Sequence, residues 1–186
     1  MNKKLQHLWI VFFVLVPLFA ILVAGCTVEP DPVIPTATQG TSIPFETIEN
    51  AETSGLGGAY DKKEPKLVVV TDLDEVVALN GTISENAQAA LQKLNFEQSF
   101  VLVVFQGKKG SGSFQVDIRQ MVQEGNQLII FAHFTEPQPD HVVTMGETSP
   151  YHLIEVQKNK IDITGVINFI LNVDGDNIIQ EQKSIP

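Results

Sequence analysis

The chain has 186 residues, with 22 Asp and Glu against 12 Lys and Arg, for a formal net charge of −10 at pH 7. Its single arginine is Arg119 and its single cysteine is Cys26. So acidic a chain lacks the basic footprint that nucleic-acid binding requires, and one cysteine excludes an internal disulfide.

In chain order, Lys3 and Lys4 precede an apolar stretch over residues 8–24 that carries no charge and ends in Leu22-Val23-Ala24-Gly25-Cys26. A short basic start, an apolar core and small residues just before a lone cysteine resemble a bacterial lipoprotein signal. The resemblance implies removal of residues 1–25 and acylation of Cys26 with lipid such as palmitate. It also implies an anchor on the outer, extracytoplasmic face of the cell membrane. An uncleaved transmembrane anchor is the alternative, since the run is nearly long enough to span a bilayer. Either reading puts the rest of the chain outside the cytoplasm, because the basic residues lie at the inner end. Cleavage would remove two positive charges and no negative one, so charge alone would not hold this chain to anionic lipid.

Residues 26–65 read as a disordered spacer rich in Pro, Thr, Ser and Glu, with Pro30, Pro32, Pro35 and Pro44 and no sustained period. Docking of Phe45 and Ile48 onto the domain or a partner is the competing expectation. A single globular domain is expected over residues 66–186. Leu67-Val68-Val69-Val70-Thr71 predicts a strand. Asp72 then caps a helix, with Glu75 completing a capping box and Leu73, Val76 and Val77 on its apolar face. Ser84 caps a second helix with Ala87, Ala90, Leu91 and Leu94 inward.

From Ser99 the pattern turns to strands. Residues 100–105 are apolar on both faces and predict a central, covered strand. Phe114, Val116 and Ile118 alternate inward. Residues 128–134 predict a strand ended by Glu136-Pro137-Gln138-Pro139. Residues 151–156 and 166–173 predict two more, and Asp174-Gly175 a hairpin into Ile178-Ile179. The predicted fold is α+β: mainly antiparallel sheet, with two short helices near the start of the domain.

Candidate chemistry is sparse. Gly107-Lys108-Lys109-Gly110-Ser111-Gly112 lies between two strands and lacks the Gly-Lys-Ser/Thr ending of a phosphate loop, so it reads as a hairpin connection. Lys108 and Lys109 are still the densest basic spot on an acidic domain. His133, His141 and His152 lack the short paired spacing of zinc ligands. Asn172-Val173-Asp174-Gly175-Asp176-Asn177 begins like a calcium loop, but Asn177 and Lys183 stand where it needs glycine and glutamate. No serine occupies a strand-to-helix nucleophile elbow. The expectation is therefore no enzyme, no metal and no cofactor. The alternatives are a small secreted hydrolase using His133, His141 and Asp140, or an inhibitor-like module binding through a sheet edge.

The stretch over residues 96–158 resembles the C-terminal domain of the protease-complex subunit PrcB and its relatives. Phe96, the strand Val101-Leu102-Val103-Val104, Gly107, Phe114-x-Val116-x-Ile118, Gly125 before Leu128-Ile129-Ile130, and Glu136-Pro137-x-Pro139-Asp140 carry the likeness. Its most specific part is Pro150-Tyr151-His152-Leu153, at its distance after the Pro137-x-Pro139 turn. One departure is Gly112-Ser113-Phe114, where the family tends to show Gly-Gly-Tyr. The resemblance implies a non-catalytic accessory lipoprotein that stabilises a surface protease complex. Phe114, Pro137, Pro139, Pro150 and Tyr151 are the candidate partner-binding residues, although turn, strand-start and packing roles account for the same side chains.

Overall fold

The computed structural model describes residues 40–51, 60–140 and 142–186. The signal, Cys26 and its lipid, the spacer over 26–39 and 52–59, and His141 lie outside the described residues. No helix among the described residues is long and apolar enough to cross a membrane, and the apolar run 8–24 lies outside them.

The fold is mainly β, with antiparallel-rich sheets and two helices. Among the described residues eleven strands occur in chain order: β1 (Thr41–Ser42), β2 (Glu46–Ala51), β3 (Lys66–Val70), β4 (Ser99–Phe105), β5 (Lys109–Ser111), β6 (Gln115–Glu124), β7 (Gln127–Thr135), β8 (Met145–Thr148), β9 (Tyr151–Gln157), β10 (Gly165–Val173) and β11 (Asp176–Ile185). One sheet has the order β1-β6-β7-β10-β11, a second β2-β9-β4-β3, and β5 pairs with β8 alone. The helices α1 (Leu73–Ala78) and α2 (Glu85–Leu91) follow three strands rather than opening the folded part.

Alternation along the strands builds two cores. Leu102, Val104, Ile154 and Val156 from the four-stranded sheet meet Ile118, Ile130, Phe169 and Leu171 from the five-stranded one. The opposite face of the four-stranded sheet, with Val101, Val103, Tyr151 and Leu153, packs under Val76, Leu79, Ile83 and Leu91 of the helical segment. Strand β4, apolar on both faces, therefore lies between β9 and β3 with every residue buried, as its continuous apolar run predicts.

Two expectations are corrected. First, residues 40–51 are not spacer. Strand β1 pairs with β6 and β2 pairs with β9. Between them Ile43 is 2 % exposed in the inter-sheet core and donates its N–H to the Met121 carbonyl at 2.9 Å. Residues 60–65 also touch the domain, through the Tyr60 and Lys62 carbonyls. An edge strand needs only one apolar side, and a few apolar residues among polar ones supply it here without a visible period.

The sheets are mainly antiparallel, as expected, with one parallel pair. Strand β10 runs parallel to β7, Asn168 opposite Gln127 through Val173 opposite Ala132. The chain visits β9 in the other sheet in between, and so returns in the same direction as β7. Second, α1 buries only Val76, leaving Leu73 and Val77 52 % and 64 % exposed. Leu79 and Ile83, beyond the helix, fill the space instead.

Its start is capped as predicted, Asp72 Oδ1 accepting from Glu75 N at 2.9 Å. The Glu75 carboxylate reaches one residue further back than a capping box requires, to Thr71 N at 2.7 Å. It also pairs with Lys183 of β11. Burial pulls the Glu75 carboxyl upward, but Lys183 and the Thr71 groups outweigh it and leave the group below the usual carboxylate range.

Candidate functional site

The Pro150-Tyr151-His152 run opens β9 and sends its two ionisable side chains to opposite faces. Tyr151 points under the helices. It is fully buried, and its ring lies 5.6 Å from that of Phe105. Its hydroxyl donates to Glu49 Oε2 of β2 and accepts from Ser84 N at 2.9 Å. Ser84 Oγ donates to the same carboxylate at 2.7 Å while accepting from Ala87 N, so the cap of α2 is tied to both strands. Burial, and then the Glu49 carboxylate, push the Tyr151 hydroxyl up to about 12.

His152 faces the inter-sheet core and is 3 % exposed. Its Nδ1 accepts the Ile118 backbone N–H at 2.9 Å, which places the ring proton on Nε2, 2.9 Å from Thr47 Oγ1. One imidazole thus joins β9 to β6 and β2. Burial holds it below the ordinary histidine value, against an upward pull from Asp117. The family-like residues that carry most chemical capacity are thus used to fix strands.

The remaining predicted residues gather at one end of the sandwich. Gln115 and Thr135 form the last pair of β6 and β7, so Phe114 and the turn Glu136-Pro137-Gln138-Pro139 leave the sheet together. Gln106, at the end of β4, joins this end by its N–H to the Pro150 carbonyl at 3.0 Å and its amide nitrogen to Thr135 O at 3.4 Å. Phe114 and Pro137 are half-buried and Pro139 is exposed. Pro150 and Tyr151 are buried and support this surface from beneath.

From this end projects a two-stranded arm, β5 with β8, in the register Lys109 to Thr148 and Ser111 to Met145. The glycine-rich connection is shaped for it. Gly107 has φ +90°, and a Cβ there would sit 2.1 Å from the Lys63 carbonyl oxygen. A Cβ on Gly112 would sit 2.3 Å from Thr144 Oγ1, and the Gly112 N–H donates to Thr144 O at 3.0 Å. Ser113 is not a glycine yet has φ +70°. That left-handed backbone is why glycine suits the position. Lys109 Nζ lies 5.2 Å from the Phe114 ring centroid, and Lys108 pairs with Glu147 at 2.7 Å.

Outside the arm, His133 Nδ1 is 2.5 Å from Asp174 Oδ1 at the β10–β11 turn. Asp140 is exposed. No group of His, Cys, Asp and Glu able to hold a metal occurs among the described residues. Asp174 and Gly175, with φ 53° and 104°, form the predicted hairpin turn. At the opposite end of the four-stranded sheet, Leu73, Leu94, Phe96, Lys158 and Pro186 line an open groove of about 530 Å³.

The arm was missed in the sequence because its strands are short and polar. The Gly-Lys-Lys-Gly run and the strand-ending prolines were its only signals. Residues 100–157, from the second residue of β4 to the end of β9, match the family described as PrcB C-terminal, so this stretch is a PrcB C-terminal-like domain region. No curated protein and no solved structure matches the chain.

Proposed function

We propose that the protein is a lipoprotein anchored through Cys26 on the extracytoplasmic face of the membrane. Its folded part acts as a non-catalytic binding module, accessory to a protein complex at the cell surface. A surface protease complex is the partner class toward which the PrcB-like stretch points. The observation that carries this reading is the match over residues 100–157, which falls on the inner strands of the sandwich and on the arm they hold out. The use made of Tyr151 and His152 supports it, since both are engaged in bonds between strands. Phe114, Pro137 and Pro139 lie where the arm leaves the sheet and serve a partner-facing role, with Pro150 and Tyr151 beneath them.

The anchoring part is tested by metabolic labelling with an alkyne fatty acid. Label is expected on the wild-type chain and lost in Cys26→Ala, with release of the protein from the membrane fraction. Label retained in Cys26→Ala defeats the lipoprotein reading. The binding part is tested by cross-linking on intact cells. The same neighbour recovered from the wild type, and lost or depleted in Cys26→Ala, is the expected result.

A further inference from the structure

We infer that β11 is a pairing edge for a second copy of this chain, the two strands joining antiparallel about Gln182 into one continuous sheet. The inference goes beyond the binding role proposed above and does not depend on it. Strand β11 ends its sheet: it is bonded to β10 on one side and, among the described residues, to no strand on the other. The nearby β3 belongs to the other sheet and forms no ladder with it. With β6 it is the longest strand, at 10 residues, and its Gln180, Gln182 and Ser184 are exposed. Such an edge leaves a row of backbone N–H and C=O groups open to another strand.

The side chains select which strand fits. Pairing with β10 runs in even register from Leu171 opposite Ile179 to Gly165 opposite Ile185, and its irregularity falls beyond Leu171. This regular stretch, Ile179-Gln180-Glu181-Gln182-Lys183-Ser184-Ile185, is close to a palindrome in chemical character. Antiparallel pairing about Gln182 sets Ile179 opposite Ile185, Gln180 opposite Ser184, Gln182 opposite its copy, and Glu181 opposite Lys183 twice. Opposite charges directly across such a pair are favourable and like charges unfavourable. Every pair joins two odd or two even positions, so the outward backbone groups of one strand meet outward groups of the other. A slip of two residues sets Glu181 against Glu181 in one direction and Lys183 against Lys183 in the other. Parallel pairing in register does both. The contact is self-complementary and closes at two copies.

Glu181 and Lys183 share the core-side face with Ile179 and Ile185, and both are half-buried. Charges on that face of an edge strand ordinarily keep other strands away. Here opposite signs stand two residues apart, so they repel a misregistered strand and accept a copy. Lys183 pairs with Glu75 of α1. Burial holds the Glu181 carboxyl above the usual carboxylate range, and Glu75 adds to this against the pull of Lys183 and Lys66. The facing groups are thus two carboxylates and two ammonium groups, a balance that suits a copy better than a strongly charged partner.

The full chain is tested in nonionic detergent with Cys26→Ser, so that an introduced thiol is the only one. Directly opposed Cα atoms lie about 5 Å apart, within reach of a disulfide, whereas Gln180 would lie about 14 Å from its copy. Mild oxidation is expected to dimerise Gln182→Cys, to leave Gln180→Cys and Ser184→Cys monomeric when alone, and to join these two when mixed. Equal cross-linking of all three alone, or none at position 182, overturns the inference. On the Gln182→Cys background, Glu181→Lys or Lys183→Glu sets like charges opposite each other twice and should slow cross-linking about tenfold. Mixing the two reversed copies restores both opposite pairs and should recover the rate. Indifference to either reversal, or no recovery on mixing with circular dichroism unchanged, overturns the inference. If Lys183→Glu unfolds through loss of Glu75, the three cysteine positions decide alone. In cells, a photo-cross-linking residue at position 182 that yields adducts only with a different protein also overturns it.

Discussion

Replacing His152 with Asn should remove a pH dependence of stability that the wild-type fold carries between pH 7.5 and 5. The imidazole is buried with Nδ1 accepting the Ile118 N–H, so a second proton would place two donors face to face between the sheets. Its folded value is lowered, whereas the unfolded chain takes up a proton near the ordinary histidine value of about 6.5. Below that pH the unfolded state binds more protons than the native state, so stability is full above it and falls as pH drops. The limiting slope for one group is about 1.4 kcal/mol per pH unit, and the loss stops growing once the pH falls below the lowered folded value. Asn offers an acceptor near the Nδ1 position and no titratable group. His152→Asn should therefore start about 1–3 kcal/mol less stable at pH 7.5, through loss of the Thr47 bond and ring volume, yet show a flat profile. Urea unfolding of residues 35–186 followed by far-UV circular dichroism across this range measures both curves. The window ends at pH 5 because Glu75, held below the usual carboxylate range, gives up its own stabilisation as pH falls further. Parallel profiles for the wild type and His152→Asn would refute the assignment of the buried neutral tautomer.

At the other end of the pH scale, the Tyr151 hydroxyl at about 12 lies above its unfolded value of about 10. Its stabilisation should be intact below pH 10 and decline from 10 to 12, and Tyr151→Phe, about 1–3 kcal/mol less stable at neutral pH, should lack that decline in alkaline denaturation. Ser113→Gly relieves a left-handed backbone and should raise stability by about 0.5–1 kcal/mol in the same urea assay; a decrease would show that the serine side chain contributes more than the strain costs. Ile43→Ala should cost about 2–4 kcal/mol, as a core residue does, and a loss under 0.5 kcal/mol would return residues 40–51 to the spacer.

The parts of the fold legible in the sequence are those whose apolar pattern has a period or a punctuating turn. Strand β4 announced itself by six apolar residues in succession, β6 by alternation, and the β10–β11 hairpin by Asp174-Gly175. Strands β1 and β2 were hidden because Ile43, Phe45 and Ile48 work singly, each inserted by a partner strand far away in sequence. The parallel pairing of β7 with β10 depends on the order in which two sheets are visited, which no local pattern encodes. At the site, the resemblance singled out Pro150 and Tyr151. It left their orientation open, because an amphipathic tyrosine serves a rim or a core, and the Glu49 partner that decides between them lies in a segment read as spacer.

The strand pairings also set a schedule for folding. Residues 41 and 42 are synthesised long before their partners on β6, Val122 and Gln123, and Glu46 waits for Glu155. The earliest strands to be made are thus among the last able to pair, and loop closure across some hundred residues makes that step slow. Until it happens, β9 presents an open edge and the inter-sheet core lacks Ile43. A nascent or partly unfolded chain is therefore vulnerable at that edge to pairing with a neighbour. The same schedule gives a chaperone or protease a defined moment at which an unfinished molecule differs from a finished one.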